Sequence, residues 1–244
     1  MLFNNLHLAT RTARLSALAV LVATLAGCQG ISGIQPTSQV RVIDVSPDAP
    51  SLDIHQNSAA ALYNVAFGTV SSYIAVPAGP YTHAAYSAGT QQQLAAVRGT
   101  FSTGNQYTVL AGNVAASLQM TVLKDQSYPA PAGEVALRFL DQTTHAGAVD
   151  IYLISPGSAT SSVAPLVIGA TFGTNTGYID APAGTYSIVA FPTGTVPTSA
   201  AAPTYTGSQI TYPSGSVRTI ILIDQPAVAP ALQIITADDC DSPS

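Results

Sequence analysis

The sequence repeats itself once. Arg41-Val42-Ile43-Asp44 returns as Arg138-Phe139-Leu140-Asp141, and Leu52-Asp53-Ile54 returns as Val149-Asp150-Ile151, both 97 residues later. A Ser-, Pro- and Gly-rich stretch, residues 154–165, then widens the offset to 105. Beyond it Phe67-Gly68-Thr69 matches Phe172-Gly173-Thr174, Tyr73-Ile74 matches Tyr178-Ile179, and Pro77-Ala78-Gly79 matches Pro182-Ala183-Gly184. Further on, Thr108-Val109-Leu110 matches Thr219-Ile220-Ile221, and Leu118-Gln119 matches Leu232-Gln233. A period of about 100 residues exceeds the ~20–50 of a solenoid unit and suits a whole domain. The repeat therefore predicts two tandem domains, residues 38–128 and 133–240, joined by the proline-containing connector Tyr128-Pro129-Ala130-Pro131-Ala132-Gly133.

Each unit reads as β. VRVIDV is apolar and β-branched, SLDIHQ alternates, and GTVSSYIAV, QYTVLAGN and SLQMTVLK are bounded by Gly, Pro, Asn and Ser. No capped stretch with helical periodicity follows the N-terminal leader. Short strands at such spacing predict a β-sandwich, with two small sheets burying their alternating apolar positions. The Pro-Ala-Gly stretches are expected to be tight turns, with glycine supplying a positive φ.

The N-terminus has its own logic. Arg11 and Arg14 precede the apolar run LSALAVLVATLA, which is shorter than the ~20 residues a spanning helix needs. The run ends in Leu25-Ala26-Gly27-Cys28, which resembles the lipobox of bacterial lipoproteins. The resemblance implies cleavage of a signal peptide, residues 1–27, and lipidation of Cys28. Residues 28–37 then read as a flexible tether. Gln29, rather than Asp, after the cysteine points to the outer membrane. Several acyl chains give durable attachment, so the membrane is the first expected partner.

Composition narrows the rest. Seven Lys and Arg face twelve Asp and Glu, a net charge of −5, and two of the seven lie in the leader. Nucleic acid, which is held by clustered basic residues, is not an expected partner. Charged residues make up only 8% of a chain that is 47% hydrophobic, a composition that suits a packed core rather than disorder. With Cys28 lipidated, Cys240 is alone and no internal disulfide is available. It sits in the tail ADDCDSPS, which reads as a solvated end, with a weak cation site from Asp238, Asp239 and Asp241 as the alternative.

The run Val40-Arg41-Val42-Ile43-Asp44-Val45-Ser46-Pro47-Asp48-Ala49-Pro50-Ser51-Leu52-Asp53-Ile54, with the later Pro-Ala-Gly-x-Tyr turn and Tyr107-Thr108-Val109-Leu110-Ala111, is similar to the opening signature of the DUF4397 family. The resemblance covers most of 40–128, and 135–236 is a more divergent copy. It implies exported proteins with tandem immunoglobulin-like β-sandwich domains and supplies no catalytic residues.

The chemistry-bearing residues are few. His55, His83 and His145 each lack a histidine counterpart in the other copy. Asp53 and His55 share a strand face, and with Asp48 they form a second candidate metal region, and the candidate enzymatic one. His83 stands at an aliphatic position and reads as a packed histidine. Asp44 and Asp141 are expected to pair with Arg41 and Arg138 or to cap loops. There is no Gly-x-Ser-x-Gly elbow, phosphate loop or His-Glu-x-x-His motif. The expectation is a cofactor-free, non-enzymatic envelope module whose loops bind an envelope protein or a glycan. A metal-dependent sensor or enzyme and an inert spacer are the alternatives.

Overall fold

A computed structural model describes residues 36–198, 201–224 and 232–240. The leader, Cys28 and most of the tether lie outside them. The described residues belong to one compact unit, Pro36–Ser244. They are all-β, with seventeen strands and two single 3-10 turns.

The first half contributes β1 (Thr37–Asp44), β2 (Leu52–Gln56), β3 (Ala59–Val65), β4 (Ile74–Pro77), β5 (Gly79–Ser87), β6 (Gln93–Phe101), β7 (Gln106–Gly112) and β8 (Gln119–Asp125). They form two sheets, β4-β1-β7-β8 and β3-β2-β5-β6. The second half contributes β9 (Glu134–Asp141), β10 (Val149–Ile154), β11 (Val167–Ala170), β12 (Asn175–Pro182), β13 (Gly184–Pro192), β14 (Tyr205–Thr206), β15 (Ile210–Tyr212), β16 (Val217–Asp224) and β17 (Leu232–Asp238). Their sheets are β12-β9-β16-β17 and β11-β10-β13-β14, with β15 also on β13. In each half one sheet has the same plan: β1 runs parallel to β7 and antiparallel to β4, as β9 does to β16 and β12.

Three apolar layers hold the four sheets. Val40, Val42, Leu52, Ile54, Val109 and Met120 join the two sheets of the first half. Val135, Phe139, Ile151, Ala190, Ile220 and Leu232 do so in the second. A third layer, with Ile43, Val45, Leu110, Leu140, Ile221 and Ile223, packs the β1 sheet against the β9 sheet. The order is outer, inner, inner, outer. Inner strands are covered on both faces, so β7 is buried at every position and β9 at every position but its first. Such strands read as continuous apolar runs, whereas β3, at a sheet edge, alternates more. Alternating burial appears on edge strands, such as β3 of an outer sheet and β8 of an inner one.

Three segments take a definite place in the fold, and the last of them overturns an expectation. The Pro-Ala-Gly stretches bend the chain without making hairpins; Gly79 has the expected positive φ, +154°, and Gly184 does not. These stretches carry the chain from β4 to β5 and from β12 to β13, that is, from an inner sheet to an outer one. Gly184 is there for space: an added Cβ would sit 3.2 Å from the Tyr186 hydroxyl oxygen and 3.3 Å from its ring. The connector is built into the fold: Ala130 is buried and its N–H donates to the Gly215 carbonyl at 3.1 Å. The tail is no solvated end up to Asp239, which is fully buried.

Candidate functional site

The inner sheets meet through a buried polar network built twice. Arg41 donates from Nε to Thr108 Oγ1 at 2.8 Å, from Nη1 to the Asp238 carbonyl at 2.6 Å, and from Nη2 to the Asp239 carboxylate. Arg138 donates from Nε to Thr219 Oγ1 at 3.0 Å, from Nη1 to the Lys124 carbonyl at 3.1 Å, and from Nη2 to Asp125 Oδ1 at 2.6 Å. Each carboxylate also accepts from its own half's threonine: Thr108 to Asp125 at 2.6 Å, and Thr219 to Asp239 at 2.5 Å. A tyrosine completes each set, Tyr73 donating to Asp125 at 2.7 Å and Tyr178 to Asp239 at 2.8 Å. The same tyrosine rings lie under the guanidinium groups, Arg41 over Tyr73 and Arg138 over Tyr178, both at 4.8 Å. Arg41 and Arg138 therefore each reach across to the carboxylate of the other half.

Burial alone lowers the pKa of Arg41, but Asp239 and Asp125 outweigh it and hold the guanidinium above its ordinary value. Burial and Asp125 together push the Tyr73 phenol upward. These are charged and hydrogen-bonded groups with no open face. Their chemistry is that of a lock, not of a reaction centre.

Of the two roles expected for Asp44 and Asp141, pairing with the arginines or capping loops, the structure shows the second. Asp44 Oδ1 accepts the Ser46 N–H at 3.0 Å, and Asp141 Oδ1 accepts the Thr143 N–H at 2.8 Å. Burial raises Asp44 to about 6 and moves Asp141 the same way. Asp53 takes the N–H groups of Gly89 and Asn64, which lower its pKa. Asp150 takes those of Gly169 and Gly194; burial opposes its ionisation, but these bonds outweigh it and lower its pKa.

The predicted site residues are dispersed. Asp48 accepts the Ala115 N–H at 2.7 Å, Asp53 is committed to its two loops, and the His55 ring stacks on Tyr86 at 4.6 Å. Among the described residues no group of three His, Cys, Asp or Glu side chains is placed to hold a metal ion. The tail does not gather a cation site either: Asp238 pairs with Arg218 at 2.8 Å, Asp239 is bonded to Arg41, and Asp241 lies outside the described residues. Cys240 packs against the cluster of Ala130, Ala136 and Val217. His83 is buried edge-on to Phe101, and burial lowers it to about 4. His145 is exposed beside Asp224 at 3.2 Å. Leu25, Ala26, Gly27 and Cys28 lie outside the described residues.

One concavity at the junction of the halves was not foreseen. It is a cleft of about 140 Å³ between the β7–β8 edge of the first half and β9 with the β11–β12 loop of the second. Its polar wall carries Gln119, Thr121, Gln142 and Asn175; Leu123 and Leu140 line its apolar wall. Phe172, 39% exposed, also lines it. No single motif announces it, because its residues come from four separated stretches.

Residues 38–152 carry a DUF4397 domain, a domain of unknown function, and the match runs past the first half into β10. No curated protein matches the chain. Among solved structures, the chain is similar to a family 26 carbohydrate-binding module from Eubacterium rectale Amy13K, crystallised with maltoheptaose. That likeness has a TM-score of 0.22 and 10% identity over 85% of this chain and 98% of the other.

Proposed function

We propose that the protein is a lipid-anchored envelope module that binds rather than catalyses, built from two tandem copies of one DUF4397-like domain over 38–128 and 133–240. Cys28 carries the lipid, the tether spans 28–37, and the outer membrane is the destination. The partner is an envelope protein or a glycan.

The observation that carries this reading is the employment of the carboxylates. Asp44, Asp53, Asp141 and Asp150 each hold backbone N–H groups of loops, and Asp125 and Asp239 lock the halves together. Acidic groups that in an enzyme would face a substrate here fix loops on a rigid scaffold. Rigid loops and a fixed junction favour recognition, because little ordering entropy remains to be lost on binding.

The test has two arms. Cys28→Ser protein should leave the membrane fraction, and retention at the wild-type level would refute anchoring. Photocrosslinking in intact cells from loop positions on the wild-type chain should capture a discrete species. A uniform background from every position would favour a spacer instead.

A further inference from the structure

The cleft at the junction has a counterpart, because the halves repeat. The strand and loop correspondences place Ile223 where the cleft has Gly112, Ile235 where it has Thr121, Val45 where it has Gln142, and Val70 where it has Asn175. Local hydrogen bonds confirm the equivalence. Gly68 N–H donates to the Asp44 carbonyl at 2.9 Å, as Gly173 N–H does to Asp141 at 2.8 Å. At the counterpart end Ile223 and Val45 are fully buried, with Phe67, Val70 and Ile235 packed onto them. One end of the junction is therefore filled with aliphatic side chains. The other is left open and polar, with its phenylalanine half in solvent.

Stability alone favours filling such a cleft, as the chain itself does at the other end. We propose that the open end binds one neutral sugar ring, free or as the terminal residue of a glycan. This rests on the binding-module reading above and gives that module its site. Three features select the ligand. None of the lining residues is charged, so a charged ligand would lose water without gaining a counter-ion. Gln119 offers an amide that both donates and accepts; Gln142, whose Nε2 donates once to the Asp141 carbonyl at 3.1 Å, adds its Oε1 as acceptor, and Asn175, whose Oδ1 accepts the Gly177 N–H at 3.0 Å, adds its NH2 as donor, together matching hydroxyls that do both. Phe172 offers an exposed ring face for the C–H side of a pyranose, as aromatic groups do in small-ligand sites. The size limits the ligand to one ring, since a cavity of about 150 Å³ takes a benzene-sized molecule.

The test titrates the purified full chain with glucose, galactose and N-acetylglucosamine, and with maltose, lactose and chitobiose, by calorimetry and by ligand-observed NMR. A ligand of about a dozen non-hydrogen atoms at ordinary efficiency gives a dissociation constant on the order of 1 mM. At least one neutral sugar should bind near this strength. Tighter binding of a disaccharide than of its free monosaccharide identifies a glycan end; equal binding identifies the free sugar. The double variant Thr121→Ile/Gln142→Val, which copies the filled end, should weaken binding at least tenfold while melting no lower than wild type. Phe172→Ala, at an exposed position, should also weaken it about tenfold. Gln233→Ala at the filled end should change nothing.

Absence of binding by every sugar, or binding that survives both cleft variants, overturns the proposal. Either result leaves the binding-module reading standing if crosslinking still captures a partner. Sugar binding lost in the cleft variants while crosslinking yields only background would leave the sugar site standing and count against an envelope-protein partner alone.

Discussion

Arg41 and Arg138 are among the largest fully buried side chains of the protein, each 2% exposed. A guanidinium at that depth is tolerated only because carboxylate, hydroxyl and carbonyl oxygens meet its donors. Removing one partner leaves the other uncompensated. Asp239→Leu should therefore cost about 3–5 kcal/mol in denaturant unfolding, and Arg41→Met/Asp239→Leu should recover most of that loss. A double variant no better than the single would mean that the pair itself stabilises the fold. Asp44 and His83 oppose one another in mild acid. Asp44 stands at about 6, above an unfolded value near ~3.9, so its contribution is complete below ~3.9 and is lost as pH rises through 6. His83 stands at about 4, below an unfolded value near ~6.5, so its contribution is complete above ~6.5 and is lost as pH falls toward 4. Between these values the two slopes partly cancel. His83→Ile, which installs the counterpart residue Ile188, should make stability rise as pH falls from about 6 to 4. Asp44→Asn should make it fall more steeply than wild type, by up to about 1.4 kcal/mol per pH unit for one proton. Melting curves across this range check both signs.

At the scale of strands and sheets, coverage of the inner pair decides stability. Ile221 on β16 is fully buried in the layer shared by both halves. Ile221→Ala should cost about 2–5 kcal/mol. Because that layer serves both halves, calorimetry should still show one transition; two resolved transitions would mean that the halves melt independently. Much of this scale was legible in the sequence. SLDIHQ alternates in sequence although Leu52, Asp53 and Ile54 are all buried, and VRVIDV lacks alternation because β1 is covered on both faces. What escaped was the meaning of that lack, since an uninterrupted apolar run fits a buried strand without saying what covers its second face. Asp239 escaped for a similar reason. An acidic residue near a chain end reads as solvated, and only the fold brings it against Arg41, 198 residues earlier. Residues that meet only through tertiary packing leave no spacing to read, which is also why the cleft was invisible while Asp53 and His55, two apart on one strand, stood out.

Across the whole molecule the halves relate to each other as partners in a symmetric pair would. Arg41 reaches Asp239 and Arg138 reaches Asp125, and these residues are equivalent by the repeat. Such reciprocity is the signature of an isologous interface, in which one patch meets its own copy. The first half alone contains every component of the lock: Arg41, Tyr73, Thr108 and Asp125. A fragment of residues 38–128 would expose Ile43, Val45, Leu110 and Leu123, and would leave Arg41 without Asp239, with its Thr108 bond and a 3.9 Å approach to Asp125 remaining. Two such fragments can satisfy each other, the Arg41 of one meeting the Asp125 of the next in both directions. The fragment is therefore expected to be a dimer in light scattering, with a melting temperature that rises with protein concentration. Arg41→Asp in the fragment sets like charges against each other at both contacts and should leave it monomeric and largely unfolded. A wild-type fragment that is monomeric and melts as high as the full chain would show that the junction contributes nothing to the stability of either half. It would also make the lock between them a device for orientation alone.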